Sequence, residues 1–329
     1  MKIIRNKEVS ISSWQNLIEL NKFSSPFQTP EYFDFFNNVD DFNADVFAVT
    51  DDHGEIDSLV VLTIQQEKGL KAGFSKRGII YGGPLLTSNS GAEKLFQYII
   101  EYYKQKLIYI ETRNFFDYSE YKILLGKAGW SYTPWLNFQL QTENPTAIKK
   151  NMSSSRWRQV KKGIKNGAEI KEAQSEDDVI AFYEILLELY KTKIKKPLLP
   201  KSFFKAFYNQ SLGKYLLIFY EGKVIGGIMC PILSGKAIYE FYICGLDHKF
   251  RDQNPSILAT WAAIDYAKEN SLKYFDFMGA GSPKEEYGVR DFKSRFGGNE
   301  VEHGRFIYIL NKPKYKIGKL GLKVLSKLK

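Results

Sequence analysis

Apolar positions recur along this chain at two spacings, every second residue and every third to fourth, and they divide it into strands and helices. The first half opens with a short strand, Lys2–Ile4. A helix over Ile11–Leu20 follows, with Trp14, Leu17 and Ile18 on one face. Beyond Ser24-Ser25-Pro26 an aromatic-rich helix runs over Pro30–Phe36. Strands are predicted at Asp45–Thr50, Ser58–Gln65 and Gly78–Tyr81, the last closing on Gly82-Gly83-Pro84. Then come a helix (Ala92–Tyr103), a strand (Leu107–Thr112), a helix (Ser119–Ala128) stopped by Gly129, and a strand (Trp135–Gln141).

The second half repeats that order. A basic helix spans Pro145–Asn166 and stops at Gly167, a strand covers Ala168–Glu172, and a helix capped near Ser175 covers Asp177–Lys193. A short helix, Lys201–Asn209, precedes a three-stranded meander over Tyr215–Glu221, Val224–Ile232 and Ala237–Cys244. The helix Pro255–Asn270, the strand Lys273–Met278 and a closing strand Gly304–Leu310 complete the set. A duplicated order at a period of about 150 residues predicts a tandem pair of domains. The expected boundaries are 1–143 and 144–310, with the tail 311–329 packing on the first. Helices against a mainly antiparallel meander with one late parallel strand make the class α/β. The order resembles the GNAT (acyl-CoA N-acyltransferase-like) fold: two such domains, each a mixed, mostly antiparallel sheet flanked by helices.

Composition changes this picture in one respect. The chain of 329 residues holds 47 Lys+Arg against 37 Asp+Glu, a net charge of +10, which favours an anionic partner such as RNA, a nucleotide-linked substrate or an acidic membrane. Cys230 and Cys244 lie in apolar runs and read as buried thiols, not a disulfide framework or a zinc site. His53, His248 and His303 are scattered, so neither a metal cluster nor a Ser/His/Asp triad is expected. The first residues lack an apolar signal core and no run approaches membrane-spanning length, so a cytoplasmic protein is expected.

Two segments carry candidate chemistry. In Tyr274–Gly298 an apolar strand ends in Gly279-Ala280-Gly281, and Lys293 lies further on, between Phe292 and the Gly297-Gly298 break. A glycine turn lets backbone approach a ligand, and a lysine beside it supplies a fixed cation for an oxyanion or phosphate. Asp276 shares a strand face with Tyr274 and Met278, where it could accept the proton of an attacking ammonium or cap a loop. Arg295, two residues further on, is left out of the first rank. The second segment holds Arg156, Arg158, Lys161, Lys162 and Lys165. The last four form one helical stripe without an acidic i+4 partner, a pattern suited to phosphate.

Further pieces set the order Tyr242 with Gly245, Pro255–Ala267, Tyr274–Gly279, Tyr287-Gly288, Phe292-Lys293, Phe296-Gly297-Gly298 and Val301-Glu302. That series resembles the second domain of the FemABX family, aminoacyl-tRNA-dependent transferases that build peptidoglycan interpeptide bridges on two GNAT-like domains. The likeness covers roughly Ser153–Arg305 and corresponds to the compact type without the long helical hairpin. It implies transfer of an aminoacyl group from aminoacyl-tRNA to an amine of a muropeptide precursor, with no cofactor beyond that co-substrate. It implies that Lys293 meets the substrate's phosphate or the carbonyl under attack, while Asp276, the other catalytic candidate, rests on its strand position alone. Substrate contacts fall to Tyr242, Tyr287, Gly279 and Phe292, with phosphate contacts at Arg158, Lys161, Lys162 and Lys165.

Two rival readings stand beside it. An acyl-CoA-dependent GNAT enzyme acting on an envelope glycan or amine needs a small-residue turn that cradles pyrophosphate at a helix N-terminus. Here that turn reads Arg251-Asp-Gln-Asn-Pro255-Ser256, and the proline removes one amide donor. A non-enzymatic binder of anionic ligands is the other. The tail Asn311–Lys329 has seven lysines and no acids, with Ile317, Leu320, Val324 and Leu328 at helical spacing. Such a helix suits docking on the first domain, tRNA, or the inner face of the cytoplasmic membrane.

Overall fold

The computed structural model describes residues 1–67 and 73–327, and of residues 322–327 only the backbone. Val324 and Leu328 of the tail stripe therefore lie, as side chains, outside the described residues.

The chain forms two compact units, Met1–Pro134 with Glu302–Lys329, and Trp135–Val301. In the first, β1 (Lys2–Arg5), α1 (Ile11–Leu20) and α2 (Pro30–Asn37) lead into the antiparallel strands β2 (Phe42–Thr50) and β3 (Ile56–Gln65), then β4 (Arg77–Gly82). Ser10 caps α1 and Thr29 caps α2, where Pro30 occupies the first turn. After β5 (Leu85–Leu86) and α3 (Asn89–Tyr103), strand β6 (Tyr109–Asn114) pairs parallel with β4. Next come α4 (Lys122–Lys127) and β7 (Ser131–Thr133). The expected helix over Ser119–Ala128 begins as a 3-10 turn, Ser119–Tyr121, and β7 has no counterpart in the sequence-based set.

The second unit starts at β8 (Leu136–Gln141), followed by α5 (Pro145–Asn151), α6 (Ser154–Lys165), β9 (Glu169–Glu172), α7 (Glu176–Leu189) and α8 (Lys201–Asn209). The meander β10 (Gly213–Tyr220), β11 (Lys223–Leu233), β12 (Ala237–Tyr239) and β13 (Tyr242–Gly245) precedes α9 (Pro255–Glu269), β14 (Tyr274–Asp276), α10 (Gly288–Ser294) and β15 (Asn299–Glu302). Finally β16 (Arg305–Ile309) and α11 (Lys312–Lys327) return to the first unit.

The sheet orders are β1-β2-β3-β4-β6-β16-β7 and β15-β8-β14-β12-β11-β10-β9, with β5 on β3 and β13 on β11. A parallel pair occurs in each sheet, β4–β6 in the first and β12–β14 in the second. Two strands depart from the expected division at 143/144. β8 pairs with β14 inside the second unit, and β16 lies between β6 and β7 inside the first. Apolar periodicity identifies a strand but carries no information about which sheet accepts it.

Two further departures shape the site. The single basic helix expected over Pro145–Asn166 breaks at Met152-Ser153. Met152 is extended, Ser153 caps α6 through Arg156 N, and the Ser153 N–H donates to the Arg295 carbonyl at 2.9 Å. The strand expected over Ala237–Cys244 is interrupted by a bulge. The register against β11 moves by one residue between Ile232↔Ile238 and Met229↔Tyr242, so Glu240 and Tyr242 do not share a face as alternation predicts. Phe275, Phe277, Ala280 and Phe296 belong to the core of this unit, with Ile238, Leu258 and Ile264.

Candidate functional site

Strand β14 ends at Asp276, and the next residues turn sharply: Met278, Gly279 and Gly281 have φ of 54°, 126° and 83°. The Gly279 value is one that only glycine adopts without strain, and a Cβ there would approach the Trp135 Nε1 at 3.1 Å. The carbonyls of Phe277, Gly279, Ala280, Gly281 and Ser282 each have a donor. Lys293 Nζ donates to the Phe277 and Gly279 oxygens at 2.7 and 2.9 Å. Arg290 donates through Nε to Ala280 O at 3.1 Å and through its Nη2 to Ser282 O, while Leu136 N reaches Gly281 O at 2.9 Å.

Asp276 is fully buried and locks the turn from the strand side. Its carboxylate accepts from Asn137 Nδ2 and Gln139 Nε2, both at 2.9 Å, and from Met278 N at 2.6 Å. Asn137 Oδ1 in turn accepts Gly279 N at 2.7 Å. Burial pushes the Asp276 carboxyl above the usual carboxylate range, and these hydrogen bonds with nearby Lys293 oppose the rise.

Lys293 lies on α10, not in extended chain, and is only 7% exposed. Its third proton goes to Glu240 Oε1 at 2.8 Å, a residue 6% exposed that the bulge between β12 and β13 turns inward. The ammonium has three donors, and all three are committed to protein acceptors. Lys293 thus ties together the turn, α10 and the bulge. Glu240 Oε2 has no partner and is buried. Burial raises the Glu240 carboxyl; Lys293 lowers it and Asp276 adds to the rise. Glu240 and Arg290 escaped the sequence reading. The signal for Glu240 was a lone acid between Tyr239 and Phe241 in an apolar strand.

On the outer side, Tyr287 is exposed beside Gly281 and lines an open cleft of ≈ 460 Å³ with Phe138, Glu286, Asp291 and Glu300. Tyr242 packs edge-on to Phe204 at 5.0 Å and near Tyr190 at 6.3 Å. Tyr190 follows α7 in a π-helical turn, and burial with the neighbouring Tyr287 raises its phenol to about 12. Phe292 lies under the Arg156 guanidinium, which stands 4.6 and 4.8 Å from the Phe292 and Phe296 ring centroids, themselves 5.4 Å apart edge to face. Arg156 therefore faces inward and joins α6 to α10, its pKa brought down to about 10 chiefly by burial.

The basic stripe on α6 is exposed at Arg158, Lys161, Lys162 and Lys165. Lys162 pairs with Asp252 at 2.7 Å, an acid supplied from outside the helix, where a search for i+4 partners does not reach. Among the described residues no ion pair involves Arg158, Lys161 or Lys165. The Cys230 and Cys244 thiols are buried and pushed up by that burial, so neither is a ready nucleophile.

The N-terminus of α9 is occupied from within. Asp247 accepts Ser256 N at 3.2 Å and the Ser256 hydroxyl, and Asn254 precedes the helix in the left-handed region. Helix α6 packs on the preceding turn so closely that a Cβ on Gly163 would lie 2.4 Å from the Gln253 oxygen. An internal carboxylate thus sits where helix N–H groups would meet an anion.

With this geometry in hand, the acetyltransferase (GNAT) domain family matches residues 154–294. Among solved structures, FemX superposes with a TM-score of 0.74 at 14% identity, covering 96% of this chain and 99% of that one. The chain has the FemX fold. The C-terminal domain assigned to a lysylphosphatidylglycerol synthetase from Agrobacterium fabrum superposes at 0.60 with 10% identity, over 96% of this chain and 95% of that one. A tandem GNAT protein from the clavulanic acid biosynthesis pathway gives 0.58 with 8% identity, over 94% and 99%. No curated protein sequence matches the chain. The architecture is a tandem GNAT-like fold throughout, as expected from the sequence.

Proposed function

We propose that this FemX-fold protein transfers an aminoacyl group from aminoacyl-tRNA to an amine of a muropeptide precursor. The amine nitrogen bonds to the aminoacyl carbonyl carbon, the ester bond to the tRNA ribose breaks, and the amine proton leaves with the alcohol or to a nearby acceptor. The observation that carries the choice of donor is the N-terminus of α9. Asp247 holds the Ser256 N–H, the Asn254 carbonyl takes those of Ile257 and Leu258, and α6 covers the preceding turn, which argues against a seat for CoA pyrophosphate there. The exposed Arg158, Lys161 and Lys165 then suit phosphates of tRNA or of a nucleotide-linked acceptor.

In this reading Lys293 and Asp276 act by holding the Gly279 turn in one shape, and the Lys293 charge acts on the developing oxyanion through space, not by a hydrogen bond. Tyr242, Tyr287 and Phe292 shape the substrate side, and no cofactor is required beyond the tRNA-borne donor. The tail helix α11 makes peripheral contact with the inner face of the cytoplasmic membrane, where lipid-linked precursors lie. Its Ile317 and Leu320 are 52% and 64% exposed. Mass spectrometry of envelope precursors from cells with and without the protein tests the acceptor. A muropeptide carrying one additional amino acid only when the protein is present is the expected result, and unchanged muropeptides would overturn it.

A further inference from the structure

The first unit holds a charge cluster that this transfer chemistry does not use. On the central strand β6, Glu111 and Arg113 share a sheet face, since they are two residues apart. Tyr81 of β4 is in register with Arg113, and Ile307 of β16 with Glu111, which brings Arg305 opposite Arg113. Arg77 and Gln65 extend the same face on β4 and β3, where they are register partners.

Among the described residues this face has three guanidinium groups and one carboxylate. Glu111 pairs tightly with Arg305, Nη1 to Oε1 at 2.8 Å, and loosely with Arg113, Nη2 to Oε2 at 3.5 Å. Arg113's other bond, Nη1 to the Tyr81 hydroxyl, is also 3.5 Å, and its buried Nε has no partner. Its guanidinium carbon is 5.2 Å from the centroid of the Tyr81 ring. Glu111 faces both arginines and shares its one carboxylate between them. Arginine satisfies itself with short forked bonds to carboxylate or phosphate, and bonds at the 3.5 Å limit leave most of that capacity unused. The side chains remain 32% and 21% exposed at Arg113 and Arg305, so a small anion can reach them.

We propose that Arg113 and Arg305, with the Tyr81 hydroxyl, seat an oxyanion: the phosphate or carboxylate group of a ligand. The seat lies wholly within the first unit and does not depend on the identity of the acyl donor. Lysine cannot replace Arg113 there, because an ammonium is a point charge and cannot present two parallel N–H groups.

The full-length protein is titrated calorimetrically with inorganic phosphate, with pyrophosphate and with acetate at constant ionic strength, and its melting temperature is followed in parallel. Saturable binding of either class, with a rise in Tm, is expected for the wild type. Arg113→Gln should weaken it by roughly tenfold or more, and Arg113→Lys should recover it only in part. Binding by phosphates alone assigns the seat to a phosphorylated ligand, and binding by acetate alone to a peptide or amino-acid carboxylate. If Arg113→Gln melts below the assay temperature, Arg305→Lys carries the same expectation. Absence of saturable binding in the wild type, or wild-type affinity in both variants, would overturn the proposal. The transfer activity can fail or succeed independently of this result.

Discussion

At the scale of single residues, Lys293 was legible as a candidate and its surroundings were not. The sequence places a lysine beside a glycine turn, but Glu240 lies 53 positions upstream and meets it only through the bulge. The pair changes what a Lys293 substitution should do. Removing the ammonium leaves a buried carboxylate uncompensated and frees two turn carbonyls, so Lys293→Ala should cost about 3–5 kcal/mol of stability. Adding Glu240→Gln should recover part of that loss in denaturant melts, and simple additivity of the two changes would refute the coupling. The carboxyls of Glu240 and Asp276 are both raised by burial. A raised folded pKa contributes stability that is full below the unfolded value, about 4.3 for Glu, and is lost as pH rises through the folded value. The melting temperature of wild type should therefore fall relative to Glu240→Gln as pH is raised above about 4. Parallel curves for the two proteins would count against it.

At the scale of elements, periodicity found most helices and strands, missed the short α10, β5, β7 and β15, and ran elements together where a local contact interrupts a pattern. The break at Met152-Ser153 follows from a cap and from a hydrogen bond to Arg295, a residue far along the chain. The bulge at Glu240 follows from register against β11, which alternation within one strand cannot reveal. Arg156 looked like one more charge in a basic run, yet it occupies the inward face of α6 against the Phe292 and Phe296 rings. The close approach of α6 to the turn before α9 rests on one glycine. Gly163→Ala must displace backbone at Gln253 and should cost about 1–3 kcal/mol. Loss of the Ser153 cap in Ser153→Ala should cost about 1 kcal/mol. Thermal or urea melts measure both; a Gly163→Ala protein as stable as wild type would show that the turn is looser than described.

At the scale of the whole molecule, the duplicated order was readable and the ownership of two strands was not. β8 and β16 carry ordinary strand patterns, and only the sheets that receive them distinguish one unit from the other. A fragment ending at residue 143 lacks β16, an interior strand of the first sheet, and should give a poorly dispersed amide NMR spectrum. A fragment of 1–143 with native-like dispersion would contradict this topology. The tail is testable by flotation with vesicles: Ile317→Glu with Leu320→Glu should release the protein from anionic phosphatidylglycerol vesicles. Equal flotation of variant and wild type would remove α11 from membrane contact. The most direct test of the central reading is a transfer assay with purified full-length protein and a muropeptide precursor, given in separate reactions aminoacyl-tRNA labelled on the amino acid and labelled acetyl-CoA. The account predicts label passing to the precursor from the tRNA and none from the CoA thioester; label arriving from acetyl-CoA, with the tRNA ester left intact, would contradict it.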